Sequence, residues 1–302
     1  MASTGVVCMH ITVADGGDGS QAPTGCFWQG LQFMANADIV NSQNWQLPEK
    51  REFLMDVQLA RTPPLQATAD FCTFAVHEIR ALDPSRDRFG SAYRWYEALI
   101  RPHGRHCARS PGDFIDRLYL ERPVVSTDLE VLGRVGDWLL EQEKPTRISI
   151  NTHPESLTNS LFVETALDFQ NKAALGGHSI CLELIEYGRS RDKNSLVKNA
   201  QRLRRAGLLI ALDDFGSRVN CFDLCAAGIV DLLKIDTSVT SAVHVDRNQR
   251  AIVESIKTLG RGLGAGVIAE GVETSDHVDA LRRLGVEYAQ GFHFHKPQLL
   301  EI

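Results

Sequence analysis

The chain is 302 residues long, 43% hydrophobic and 23% charged, an ordinary composition for a globular protein whose core fills one large or two smaller domains. Its formal net charge of -6 argues against general binding to duplex nucleic acid or to anionic membranes. No apolar run reaches the length of a membrane span, the N-terminus lacks the basic start and apolar centre of a signal peptide, and seven scattered cysteines suit reduced thiols in a cytoplasm.

Residues 1–68 differ in character from the rest of the chain. The stretch ADGGDGSQAPTG is rich in turn formers. Pro48 to Arg61 predicts a short amphipathic helix with Phe53, Leu54 and Val57 on one face, stopped by Pro63 and Pro64. No chemistry is visible here, and the segment reads as an N-terminal extension to a domain spanning 69–302.

From about Asp70 a rhythm sets in. RWYEALIR contributes Glu97 and Arg101. HGRHC, just beyond, holds His103, His106 and Cys107 but has no fourth zinc ligand nearby, and reads as a solvated loop. Short β-rich runs then end in polar residues: RISIN at Asn151, SICLE at Glu183, LLIALDD at Asp213 and Asp214, LLKID at Lys234 and Asp236, GVIAE at Glu270 and EYAQ at Gln290. Helical patterns lie between them. Leu196, Val197, Ala200 and Leu203 share one face before a stop at Gly207, and Val278, Leu281 and Leu284 repeat the pattern before Gly285. Cys221 and Cys225 lack a partner pair at zinc spacing and read as small buried hydrophobes.

Alternating strands and helices imply parallel strands, and nearly continuous apolar strands imply burial on both sheet faces. A doubly wound open sheet gathers its ligands at one switch point. Here strand after strand ends in a polar residue, which matches the C-terminal mouth of an α/β (β/α)8 barrel of the TIM type.

LLIALDDFGS sets two aspartates side by side where a core strand ends. Asp214 could simply cap a turn; Glu183 and Glu186 could be acids at a helix start; Lys234 could be a solvated partner of Asp236; Asn151 could form a turn with His153 and Pro154. Together, however, Glu97, Asn151, Glu183, Asp213, Asp214, Lys234, Asp236, Glu270, Glu273 and Gln290 bring too many carboxylates to one barrel mouth for a single lysine to balance. Two divalent cations about 4 Å apart, bridged by one aspartate, would balance them and would suit attack of water on a phosphodiester. The all-oxygen donor set points to Mg²⁺ or Mn²⁺ rather than zinc.

These motifs resemble the EAL domain, the bacterial phosphodiesterase of cyclic di-GMP. YEALIR, SINTHPESL, LELIEY, ALDDFGS, DLLKID, VIAEGVET and AQGFHFHKP occur in the family's order over roughly residues 70–302. The resemblance implies that Glu97, Asn151, Glu183 and Asp213 hold one metal, and that Asp213 bridges to a second bound also by Asp214 and served by Glu270. It implies catalytic roles for Glu97, Glu270 as proton acceptor and Lys234 as the group orienting water. Behind these stand Glu186, Asp236, Glu273 and Gln290. Arg101, suited by its guanidinium fork to phosphate, would bind substrate with Gln290 and His77. The implied product is linear pGpG, and a homodimer through the face bearing the DDFG loop is implied as well.

The chain departs from the family pattern twice. After DDFG the family continues with a small residue and Gly-Tyr-Ser-Ser; here Ser217 is followed by Arg218, Val219, Asn220 and Cys221, which removes a glycine's backbone freedom. The family's substrate glutamine is replaced by His77, whose grip on a guanine or phosphate would vary with pH. The altered loop leaves two readings: an enzyme that turns over slowly, or a receptor or interaction module that holds cyclic di-GMP without useful turnover.

Overall fold

In a computed structural model of the chain, the described residues are 32–35, 38–41, 72–87, 93–103, 110–185, 192–217 and 222–300. The chain divides into two compact units, Met1–Pro63 and Pro64–Ile302. In the first, strands β1 (Gln32–Ala35) and β2 (Asp38–Asn41) pair antiparallel, with Gln32 opposite Asn41. The helix expected over Pro48 to Arg61 lies outside the described residues.

The second unit is a barrel. Strands β3 (Cys72–Ala81), β4 (Arg94–Pro102), β5 (Thr146–Thr152), β6 (Ser179–Leu184), β7 (Leu209–Phe215), β8 (Leu232–Ile235), β9 (Gly266–Ala269) and β10 (Tyr288–Gln290) are neighbours in chain order, and β10 pairs back onto β3 to close the ring. A short β11 (Gln298–Leu299) extends the seam along β3. The strand ends read from the sequence therefore do come together at one mouth.

One expectation needs correction. From β4 to β10 every neighbouring pair is parallel, but β3 runs antiparallel to both β4 and β10. A parallel step needs a crossover, usually a helix. Between β3 and β4 the described residues offer one 3-10 turn, Pro84–Arg86, and no α-helix. The chain there reverses instead of crossing.

Later connections carry helices whose starts are read easily. Ser110, Asn159, Asp192, Asp246 and Thr274 each turn a side-chain oxygen onto backbone N–H groups of the first turn, satisfying donors with no partner inside the helix. The expected stop at Gly285 is a left-handed C-cap with φ of 74°, and Gly207, one past the cap at Ala206, sits at φ of 96°. Apolar side chains pack in two places. One cluster fills the space between strands and helices, Cys225 among its members. The other, Ile79, Trp95, Cys181, Ala211, Leu232, Ile268 and Tyr288, fills the barrel's interior. Each fully buried large apolar side chain contributes about 1.5–3 kcal/mol.

Candidate active site

A strand turns successive side chains to opposite faces. Two residues beyond an interior core residue, the chain therefore faces the barrel axis again, one layer nearer the C-terminal rim. Trp95 is followed by Glu97, Cys181 by Glu183, Ala211 by Asp213, Leu232 by Lys234, Ile268 by Glu270 and Tyr288 by Gln290. On β5, Ser149 accepts a hydrogen bond from Trp95 Nε1 at 3.1 Å, and Asn151 comes two residues later. On the reversed strand β3 the order inverts, so His77 precedes Ile79 and stands opposite Glu97.

Lys234 is the centre of this layer. It is 1% exposed, and Glu183 is 0% exposed. Its Nζ lies 2.5 Å from Glu183 Oε2, 2.7 Å from Glu270 Oε1, 2.9 Å from Asp213 Oδ1 and 3.6 Å from Glu97 Oε1. Glu97 is held from two more sides: Asn151 Nδ2 donates to Oε1 at 2.8 Å and Gln290 Nε2 to Oε2 at 2.9 Å.

One ammonium cannot balance four converging carboxylates, two of them buried and two half-buried, and the acidities of Glu183 and Glu270 show it. Burial pushes Glu183 up to about 8 against the pull of Lys234, and burial likewise lifts Glu270 well above the carboxylate range. Glu97 goes the other way: burial raises it, but Lys234 and the amides of Asn151 and Gln290 together bring it below its usual value. Burial opposes the charge on Lys234, yet the surrounding carboxylates raise it well above the ordinary lysine value. It stays an ammonium.

The adjacent aspartates would face opposite ways in a regular strand. Here the pairing of β7 with β8 shifts register between Leu212 and Phe215, Asp214 adopts φ of 51° and Gly216 φ of 98°. A left-handed aspartate is uncommon and marks a locally constrained backbone. As a result, carboxylate oxygens of Asp213, Asp214 and Glu270 lie within 4.8 Å of one another. Burial, then Asp213 and Asp236, push Asp214 up to about 6.

The donor set fits a hard divalent cation. Apart from Lys234, the converging groups offer oxygen donors, and among the described residues Glu183 Oε1 and Asp213 Oδ1 are buried without accepting a hydrogen bond. For Asp213 Oδ1, the 2.9 Å approach of Lys234 is a charge contact, not a directed hydrogen bond. Buried oxygens in this condition are costly unless something else binds them.

Other expected residues stand further out. Asp236 caps the helix Thr237–Thr240, accepting from Ser238 N at 2.8 Å. Glu273 is exposed, its backbone N–H donating to His277 Nδ1 at 3.3 Å. Arg101 Nη1 donates to Ile100 O at 3.0 Å. His77 Nε2 lies 3.0 Å from His295 O, and burial lowers its basicity, so the ring is neutral at neutral pH and donates there. Glu186, His106, Cys107 and residues 218–221 lie outside the described residues.

Two features escaped the sequence reading. Phe292, 56% exposed, sits near His77 with ring centroids 6.1 Å apart; its place two residues after Gln290 was the available signal. Asp128, buried in the helix Val124–Leu140, accepts from Tyr119 Oη at 2.7 Å, His153 N at 2.9 Å and Ser156 Oγ at 2.7 Å. It thereby ties down the loop that follows Asn151. No local motif announces such a tie.

Residues 87–297 match the EAL domain family. The chain is 30% identical over 210 residues to the cyclic di-GMP phosphodiesterase PdeB of Shewanella oneidensis, covering 68% of this chain and 24% of that protein. It is 28% identical over 211 residues to the probable cyclic di-GMP phosphodiesterase PdeG of Escherichia coli, covering 68% of this chain and 41% of the relative. The chain thus spans less than half the length of either relative. Among solved structures, Klebsiella pneumoniae BlrP1, in a complex with calcium and cyclic di-GMP, matches with a TM-score of 0.60 at 26% identity, covering 80% of this chain and 59% of that one.

Proposed function

The chain belongs to the EAL domain family, and from that premise we propose that it hydrolyses cyclic di-GMP to linear pGpG using two divalent ions, Mg²⁺ or Mn²⁺. The observation that carries this reading is the layer of carboxylates around Lys234, two of whose buried oxygens accept no hydrogen bond among the described residues.

Glu97, Asn151, Glu183 and Asp213 would hold one ion, and Asp213, Asp214 and Glu270 the other. Asn151 spends its amide nitrogen on Glu97, which leaves Oδ1 as the atom to face a cation. When bound, the ions supply charge to the phosphodiester oxygens and acidify the attacking water. Lys234 orients that water, and Glu270 accepts its proton. Arg101 at the rim of β4 grips a phosphate through its guanidinium fork, with Gln290 and His77 beside it, while Asp236 and Glu273 support from further out.

Purified protein incubated with cyclic di-GMP and Mg²⁺ or Mn²⁺ should release pGpG, and a chelator should stop it. Chelator-insensitive turnover would sink the two-metal mechanism. Lys234→Ala should bind substrate while turnover collapses; Arg101→Ala should weaken binding by about 1.5–3 kcal/mol, the range for hydrogen bonds to charged groups. Binding without pGpG release would instead favour a receptor, the reading suggested by Arg218 and Val219 in the loop after DDFG.

The same reading includes a homodimer formed on the face that carries the DDFG loop, where Phe222 is 54% exposed, and a cytoplasmic location. Cys72, Cys181 and Cys225 are buried, and Cys72 and Cys181 are free thiols, as suits a reducing compartment. No helix among the described residues is long and apolar enough to cross a membrane.

A further inference from the structure

A divalent ion entering the carboxylate layer meets a cation already in contact with its ligands. Lys234 Nζ lies within 4 Å of Glu183, Glu270, Asp213 and Glu97, and each of these four is a ligand in the metal reading above. An ammonium has three donors to share, whereas a divalent ion takes six or more oxygens. The pocket is too small for indifference: like charges separated by a few ångströms in a buried site repel strongly.

We infer that Lys234 is an internal counter-ion that competes with the divalent cation for Glu183, Asp213 and Glu270. It holds these side chains together when no metal is bound, and it sets an upper limit on how tightly metal binds. The affinity it takes from the metal is the cost of keeping a preformed site. This role rests on the metal-site reading but is separate from any part Lys234 takes in orienting water, because it concerns the protein before substrate arrives.

Burial strengthens the inference. Lys234 and Glu183 are 1% and 0% exposed, so solvent screens their contact little. Removing one partner of a buried ion group leaves the others uncompensated, and here up to four carboxylates would be left facing one another. A divalent ion is what would then fill the gap.

The test uses the whole chain, stripped with chelator and titrated with Mn²⁺ by calorimetry, beside thermal melts with and without Mn²⁺. Lys234→Met keeps most of the length of the side chain and loses its charge; Lys234→Arg keeps the charge. The inference requires Lys234→Met to bind Mn²⁺ about tenfold tighter or more, the size of a modest like-charge repulsion. It also requires this variant to melt lower than wild type in chelator and to gain more from Mn²⁺, with Lys234→Arg binding no tighter than wild type. A Lys234→Met protein that folds only with Mn²⁺ supports the inference too. If that variant does not fold at all, Lys234→Met with Glu183→Gln is compared with Glu183→Gln alone, and the double variant must bind Mn²⁺ tighter. Equal or weaker Mn²⁺ binding without the ammonium overturns the inference while leaving the metal site standing. No Mn²⁺ binding by any of these proteins overturns the metal site and this inference with it.

Discussion

One pleat separates two layers inside the barrel. The lower is apolar: Ile79, Trp95, Cys181, Ala211, Leu232, Ile268 and Tyr288, with Trp95 set edge-on to Tyr288 at a centroid distance of 5.1 Å. Two residues along the same strands, the upper layer holds Glu97, Glu183, Asp213, Lys234 and Glu270, with two buried oxygens that accept no hydrogen bond among the described residues. The lower layer is buried, and so are Glu97, Glu183 and Lys234 in the upper one, so burial alone does not tell structure from function. What distinguishes them is satisfaction. The lower layer finds its partners among its own neighbours, and the upper layer keeps two buried oxygens that no hydrogen bond among the described residues reaches.

The contrast is sharpest in the largest expected effect. Asp213→Asn removes the proposed bridge between two ions and should lower pGpG formation about 10³-fold or more, as loss of a central electrostatic group does. Glu273→Gln, on an exposed side chain, should cost no more than about 100-fold, the range for groups supporting a metal site from outside. Side-by-side turnover assays decide it: equal losses would mean that Asp213 is not special among these acids.

A lower-layer substitution should behave differently. Leu232→Ala should cost about 2–5 kcal/mol of stability, the range for a buried leucine, measured by denaturant unfolding. The folded fraction should keep its Mn²⁺ affinity, because Lys234 two residues on remains in place. A change in metal affinity with no loss of stability would erase the distinction between the layers.

That distinction is only half legible in the sequence. Asn151, Glu183, Asp213, Lys234, Glu270 and Gln290 each end an apolar run, and the two-residue period carries them into one layer. Strand direction is not written in such a pattern, which is why alternation of strands and helices predicts a parallel β3 where the structure has an antiparallel one. The convergence of Asp213 and Asp214 depends on a left-handed Asp214, a conformation that two adjacent aspartates do not announce. Asp128 meets Tyr119, His153 and Ser156 across separations of 9 to 28 residues, beyond the reach of any local motif.

Asp128 also gives a second comparison with the upper layer, a buried carboxylate that is fully partnered. Burial still pushes it up to about 6 from 3.8. Its folded value lies above its unfolded one, so its contribution to stability is complete below about pH 4 and is lost as pH rises through about 6. The loss amounts to up to about 3 kcal/mol, at about 1.36 kcal/mol for each tenfold change in acidity. Relative to Asp128→Asn, wild type should lose stability between about pH 4 and 6 and hold steady above. A stability difference between the two proteins that does not change over this window would show that the hydrogen bonds from Tyr119, His153 and Ser156 keep the acid at its ordinary strength.

The smallest effect is expected at His77, on the rim of the upper layer. The sequence suggests a substrate contact whose strength changes with pH. In the structure, burial keeps the ring neutral at neutral pH, despite the pull of Glu97, and Nε2 is engaged with His295 O. A glutamine Nε2 can donate to the same carbonyl. His77→Gln should therefore change cyclic di-GMP affinity by about 1 kcal/mol or less, the net worth of one neutral hydrogen bond. Affinity should also be equally flat with pH in both proteins above about 6.5, the ordinary histidine value. Calorimetric titrations at two pH values on each protein separate the possibilities. If wild-type affinity strengthened as pH fell toward 7 while His77→Gln stayed level, the ring would be acting as an imidazolium on a phosphate, and the upper layer would hold a second working cation besides Lys234.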